Sequence, residues 1–380
     1  KSDFYFGGVN IDIYTGWIHL QIQHIDGLAL AMQHIFIGAA SGVTQHTVTH
    51  IAAIHIGKLV IGAGSSGVGK ASATPHPDIA MLVIDAEGDR AFCSGGDIAE
   101  MYATGTKGDY AYGRRFWRDE YRMNARLFEF PKPVVSLMQG FTMGGGVGVG
   151  CHGSHRIVGE SSKIAMPECT IGLIPDIGGS LILARAPGRL GEYLGVTGDR
   201  MDAADAIHAG FADYFVPEAK WPGLIAELEA TGDWEAVDRV AQAPAPARLA
   251  AIQAEIDAVF GGETLGDMAR GLPDPLPEAV THAFKLMDRN SPLAMASAIE
   301  IIRRVRTRPQ MRYALDQEYR FTYRSMEHGD FIEGIRAAII DKDRNPRWRH
   351  DDWRTVPGGD ILKMTLPLGA EALTFEREEP

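Results

Sequence analysis

Gln139-Gly140-Phe141-Thr142-Met143-Gly144-Gly145-Gly146-Val147-Gly148 follows the apolar run Val134–Met138. It has an earlier counterpart, Arg90-Ala91-Phe92-Cys93-Ser94-Gly95-Gly96-Asp97-Ile98, shortly after Met81–Ile84. Both apolar runs are short, β-like and bounded by turn residues. In both, a helix can start where the glycines end. Glycines let the backbone turn tightly and let a ligand approach the main chain. A helix start also presents N–H groups with no intrahelical acceptor and a partial positive charge. Two such N–H groups aimed at one oxygen form an oxyanion hole, in which one donor contributes roughly 3–4 kcal/mol of transition-state stabilisation. A single glycine triplet is more often a site of close helix–strand packing. Two such motifs in this order, about 50 residues apart, point instead to function.

Working outward, residues 80 to about 222 read as an α/β domain. A helical pattern, Tyr110–Phe128, separates the two strand-like runs, and Pro131, Pro133, Gly140, Gly178 and Gly179 punctuate the joins. From about 223 to 355 the pattern turns helical. Leu224–Leu228, Ala247–Phe260, Leu293–Val305 and Met311–His328 each carry apolar residues three or four apart. A Pro-rich loop, Pro273–Pro277, separates two of these helices, and the tail Ile361–Pro380 is weakly patterned. The composition shifts near residue 79: residues 1–78 contain no Arg and no Glu yet hold seven of the 13 histidines. The expected organisation is therefore a core over residues 1–222, anomalous in composition over 1–78, and a helical region over 223–380.

The 380 residues are 45% hydrophobic and 23% charged, which suits a globular protein with a large core. A net charge of -12 without a strong basic block argues against a nucleic-acid partner. Residues 27 to 57 lack Asp, Glu, Lys and Arg, but they carry too many Gln, His and Thr residues for a membrane span. The three cysteines, Cys93, Cys151 and Cys169, form no C-x-x-C pair, so neither a disulfide framework nor a zinc site is expected. A reducing compartment follows, as does the reading of Cys93 and Cys169 as packing residues. No secretory leader pattern is seen.

The motifs together resemble the crotonase (enoyl-CoA hydratase/isomerase) superfamily, and within it most closely the 3-hydroxyisobutyryl-CoA hydrolase family. Residues 80–355 carry the resemblance. Its marks are Ala91–Asp97, Asp119-Glu120-Tyr121, Lys132-Pro133, Met143–Gly148, Met166-Pro167-Glu168 and Pro175-Asp176-Ile177-Gly178-Gly179. Further along stand Glu318-Tyr319-Arg320, Gly329-Asp330-Phe331, Glu333-Gly334 and Asp341-Lys342-Asp343. The resemblance implies a crotonase-type spiral of ββα units with a helical C-terminal region. It implies hydrolysis of a short branched 3-hydroxyacyl-CoA, foremost 3-hydroxyisobutyryl-CoA in valine breakdown. It also implies oxyanion donors at Gly96 and Gly145 and substrate-contacting carboxylates at Glu120, Glu168 and Asp176. The acyl-CoA is the partner, and no separate cofactor is expected because coenzyme A is part of the substrate. A homo-oligomer is compatible with this reading. The location is cytoplasmic, or the mitochondrial matrix in a eukaryote.

Hydratases of that superfamily hold water between two glutamates. Gly148 stands where the first would lie and Glu168 where the second does, which favours a hydrolase. Glu168 then either activates a water or attacks the thioester carbonyl itself. Asp176 protonates the departing thiolate or positions water, and Glu120 holds the substrate hydroxyl. The bland reading of Glu168 is a surface glutamate, and of Asp176 a helix N-cap before Gly178. Arg90 is a candidate contact for a coenzyme A phosphate, and Asp97 a helix cap. An enoyl-CoA isomerase or hydratase, or a non-catalytic acyl-CoA-binding protein, remains an open alternative.

Two further signals are set aside. Gly64–Lys70 has the spacing of a phosphate-binding loop, but Ala71 stands where Ser or Thr would bind magnesium. His46, His50 and His55 lack the further oriented ligands of a metal site.

Overall fold

The computed structural model describes residues 79–375, except Asp97 and Gly271, together with the backbone of six short strands: Asp3–Phe6, Val9–Tyr14, Trp17–Ile22, Ile37–Gly38, Ile54–His55 and Val60–Ile61. Gly64–Lys70, His46, His50 and Asp97 lie outside the described residues, and His55 is described only as strand backbone. The chain divides into two compact units. One comprises residues 1–97, 126–163 and 212–243; the other comprises 98–125, 164–211 and 244–380. The units interleave along the chain, so they do not coincide with the linear division expected at 222/223.

The first unit is built on a parallel sheet. Its strands Ile79–Ala86, Val134–Met138, His155–Val158 and Tyr214–Phe215 lie side by side in that order, registered by Leu82 opposite Val134, Val135 opposite His155 and Ile157 opposite Tyr214. Ile54–His55 and Val60–Ile61 pair antiparallel to Ile79–Ala86. Every residue of Val134–Met138 is buried, as a central parallel strand covered on both faces should be. Its core gathers Met81, Val83, Val135, Leu137 and Ile157 with Trp221, Leu224 and Leu228 of the helix Trp221–Thr231. Two short strands, Ala91–Cys93 and Phe141–Met143, pair in parallel beyond the main strands. That pairing brings the two glycine motifs, distant in sequence, side by side.

The second unit is helical. In Ala111–Phe128 the buried residues Gly113, Trp117, Tyr121, Asn124 and Ala125 recur at the helical period and make one inward face. That face packs on Met311–His328 and the segment after it. Tyr121 meets Tyr319 edge-on at 6.1 Å, and Trp117 lies 5.6 Å from Phe331. A Cβ on Gly113 would come 2.4 Å from the Met326 sulfur, so a larger residue there would push the Met326 side chain aside. Helices Arg248–Val259, Pro292–Thr307 and Met311–His328 fall where the apolar spacing places them. The tail departs from its weak pattern: Gly358–Thr365 is helical, because tertiary packing buries Met364 and Thr365. No described helix is long and apolar enough to cross a membrane. Among the described residues no cluster of His, Cys, Asp and Glu is arranged to hold a metal ion.

Candidate active site

In the first unit, Gly144 caps the short helix Gly145–Gly150 with φ 53° and ψ -128°, a conformation closed to side-chain-bearing residues. Gly95 is likewise left-handed, at φ 97°, and a Cβ on it would sit 3.4 Å from the Gly145 nitrogen. A Cβ on Gly146 would lie 2.1 Å from the Cys93 carbonyl oxygen. The glycines thus serve both readings at once: they allow close packing and they strip side chains from around the Gly145 N–H. As the first residue of its helix, Gly145 has no intrahelical acceptor for that N–H. Gly96 is exposed beside it on the paired motif, and Gly148 lies buried within the helix without a carboxylate. Arg90 is exposed at the start of the same motif.

In the second unit the three expected carboxylates come together. Glu168 opens a short 3₁₀ turn, Glu168–Ile171, and is only 5% exposed. Neither of its carboxyl oxygens has a hydrogen-bond partner. Burial pushes its pKa well above the ordinary 4.5, with Asp176, Glu318 and Glu120 adding repulsion and its own backbone N–H opposing. A buried carboxyl with no partner from elsewhere in the chain is expensive to ionise, so burial favours its neutral form. Glu120, on the inward side of Ala111–Phe128, keeps part of its surface in solvent. Its pKa is also raised, by burial and by Asp176.

Asp176 is treated differently. Tyr121 donates a 2.7 Å hydrogen bond to Asp176 Oδ2, and the Tyr121 hydroxyl also lies 3.5 Å from Thr322 Oγ1. Burial raises the Asp176 pKa, while the Tyr121 donor and the residue's own backbone lower it. The N-cap of the helix Gly179–Arg185 is Gly178, so Asp176 is not that cap.

Asp176 begins a tight turn closed by the Gly179 N–H donating to the Asp176 carbonyl at 2.7 Å. Both central residues are left-handed: Ile177 at φ 55° and Gly178 at φ 80°. This is the mirror-image type I′ turn, which favours Gly, Asn or Asp at both places. A β-branched isoleucine there is strained, by about 1–3 kcal/mol. Such strain marks a backbone held for a purpose and over-determined by its surroundings.

Tyr121 and Glu318 were visible in the sequence only as parts of motifs, with no role, and Thr322 only as a residue of the helical stretch Met311–His328. The available signal was Glu318 itself. It is a charged residue on the apolar side of Met311–His328, wholly buried in the structure, and buried charges need partners. Cys169 is buried and donates through Sγ to the Gly195 carbonyl at 3.3 Å. Burial and Glu168 raise its pKa well above the usual thiol value, which makes it inert packing.

A family model described as enoyl-CoA hydratase/isomerase matches residues 71–364. The mitochondrial 3-hydroxyisobutyryl-CoA hydrolase of Rattus norvegicus is 33% identical over 310 residues, covering 79% of this chain and 80% of its own. A crystal structure titled as an enoyl-CoA hydratase from Rhodobacter sphaeroides 2.4.1 is 57% identical with a TM-score of 0.75, over 78% of this chain and 87% of that one. A carnitinyl-CoA dehydratase from Mycobacterium thermoresistibile is 39% identical with a TM-score of 0.74, over 79% and 87%. The relatives' names differ on the reaction, hydrolysis against water addition or removal, and agree on an acyl-CoA.

Proposed function

From the premise that the chain belongs to the 3-hydroxyisobutyryl-CoA hydrolase family of the enoyl-CoA hydratase/isomerase superfamily, we propose that it hydrolyses a short branched 3-hydroxyacyl-CoA, foremost 3-hydroxyisobutyryl-CoA, to the free acid and coenzyme A. The observation that carries this reading is Glu168: a buried carboxyl whose two oxygens have no partner within the protein. In the proposed reaction the Gly96 and Gly145 N–H groups polarise the thioester oxygen. Glu168, once ionised, activates water or attacks the carbonyl. The acyl–sulfur bond breaks, and a proton reaches the departing thiolate from the carboxyl pair that Asp176 completes; where Glu168 is the nucleophile, water then cleaves the resulting anhydride, releasing the acid and restoring the Glu168 carboxyl. Glu120 binds the substrate hydroxyl, and Arg90 meets a coenzyme A phosphate. No separate cofactor is proposed, because coenzyme A is part of the substrate.

Gly148 supports hydrolysis over hydration, because its helix offers no second carboxylate to hold a water for addition. The test is direct. Incubated with 3-hydroxyisobutyryl-CoA, the protein releases free thiol, which a chromogenic disulfide titrates. Absence of release above background overturns the hydrolase reading. A change in the enoyl-thioester absorbance with crotonyl-CoA then supports the hydratase named for the structural relatives. Tight acyl-CoA binding without either change supports a binding protein.

A further inference from the structure

The structure assigns Glu318 as a positioning residue for Asp176: it clamps the strained turn on which that carboxyl stands. Glu318 comes from the middle of Met311–His328 and is fully buried. Its Oε2 accepts the Gly178 N–H at 2.8 Å. Its Oε1 accepts the Ser180 N–H at 3.0 Å and a short hydrogen bond from the Ser180 hydroxyl. All three donors lie within four residues of Asp176, and both carboxyl oxygens are used by them. Glu318 is therefore occupied by the turn and acts through it.

The turn needs such a clamp. Ile177 at φ 55° is in a region that a β-branched residue leaves when free. Its return to negative φ would swing the peptide between Ile177 and Gly178 and turn the Gly178 N–H away from its present direction. The hydrogen bond from that N–H to Glu318 opposes this swing. The Ser180 N–H and hydroxyl anchor the other side of the turn. Two of these donors also belong to the start of Gly179–Arg185, where N–H groups lack intrahelical acceptors and a carboxylate is favoured. Tyr121 holds the Asp176 side chain itself at 2.7 Å, so Asp176 is fixed at its carboxyl by one helix and at its backbone by another.

The groups around the clamp explain why glutamate is used despite its surroundings. The Glu318 pKa is pushed up to about 8: burial and, less strongly, nearby Asp176 raise it, while the Ser180 and Gly178 donors pull it down. Its two oxygens reach both sides of the turn at once, which is what the position requires. Glutamine of equal size has one acceptor oxygen and turns an NH₂ group towards a donor, so it holds only one side of the turn.

The kinetic arm of the test rests on the hydrolase reading. In Glu318→Gln, kcat for coenzyme A release from 3-hydroxyisobutyryl-CoA falls about 10- to 100-fold, because displacement of a reacting group by about 1 Å has that effect. KM changes by less than about 3-fold, since substrate contacts are kept. Circular dichroism and thermal unfolding establish that the variant is folded. If it is not, Ser180→Ala removes only the hydroxyl arm, and kcat falls by about 3- to 10-fold at unchanged KM. A folded variant with a lower thermal midpoint and unchanged kcat overturns the assignment. The structural arm is independent of activity: a crystal structure of Glu318→Gln, or of Ser180→Ala if that is the folded variant, shows Ile177 relaxed from positive φ and the Asp176 carboxyl displaced. A turn that superimposes on the present one overturns the assignment. If the wild-type protein releases no coenzyme A, the hydrolase reading fails and the structural arm alone decides this one.

Discussion

Glu168 and Asp176 stand on two turns eight residues apart, and the second unit treats them in opposite ways. The Glu168 turn is fixed through its backbone. The Leu173 N–H donates to the Glu168 carbonyl at 3.1 Å, the Ser291 N–H donates to the Cys169 carbonyl at 2.9 Å, and Gly334 lies against Ile171. Its carboxyl is left without a partner. The Asp176 turn is fixed by side chains: Glu318 clamps its backbone and Tyr121 holds its carboxyl. A donor on a buried carboxyl favours its ionised form, whereas burial without donors favours the neutral one. The contrast therefore separates the proton affinities of two neighbouring acids, and this lets one pocket provide both an acid and a base. In the proposed reaction the uncommitted carboxyl is the one that meets the substrate.

The contrast breaks most severely at Glu168. Glu168→Gln lowers kcat for thioester hydrolysis by about 10²–10⁴-fold, while acyl-CoA affinity measured by calorimetry stays close to wild type. The same change raises the thermal midpoint at neutral pH. A carboxyl whose folded pKa lies above its unfolded 4.5 contributes its full stability below 4.5, and that contribution is lost as pH rises through the folded value. Glutamine is neutral throughout and keeps it. Unchanged turnover would remove Glu168 from the mechanism, and a midpoint gain that persists equally at pH 4 would contradict the electrostatic account.

Gly334→Ala tests the backbone that carries Glu168. The new Cβ would lie 2.1 Å from the Ile171 carbonyl oxygen, so the 3₁₀ turn must move. Stability drops by about 1–3 kcal/mol, as overpacking does elsewhere. The kcat of the folded fraction falls by about 10- to 100-fold. Urea unfolding and steady-state rates measure the two effects, and a stable, fully active variant would show that the turn is not held there.

Tyr121→Phe, the smallest change, makes Asp176 more like Glu168. It removes one hydroxyl and keeps the ring against Tyr319. A hydrogen bond contributes about 0.5–1.5 kcal/mol net, so kcat falls by up to about 10-fold. Because the Tyr121 donor lowers the Asp176 pKa, its loss raises it. The ionisation limb that reports Asp176 in the pH–rate profile moves to higher pH. A limb that stays in place, or moves down, would mean that Tyr121 does not tune Asp176.

Several features could be read from the chain alone because they depend on local pattern. The strands Met81–Ile84 and Val134–Met138 are short apolar runs with turn residues beside them, and Met311–His328 has helical spacing. The glycine motifs and Met166-Pro167-Glu168 are contiguous strings whose order singles out an acyl-CoA family. What depends on distant parts of the chain could not be read that way. The helix Gly358–Thr365 exists because packing buries Met364 and Thr365, which outweighs a weak local pattern. The grouping into two interleaved units depends on strand pairing between segments far apart in sequence. The same holds for the carboxylates. The sequence by itself determined that Glu120, Glu168 and Asp176 were the acids to watch. Only the tertiary structure decided which of them is anchored and which is bare. Proton affinity and strain depend on what surrounds a group in space, and Tyr121 and Glu318 reach Asp176 and its turn from helices that no local pattern connects to it.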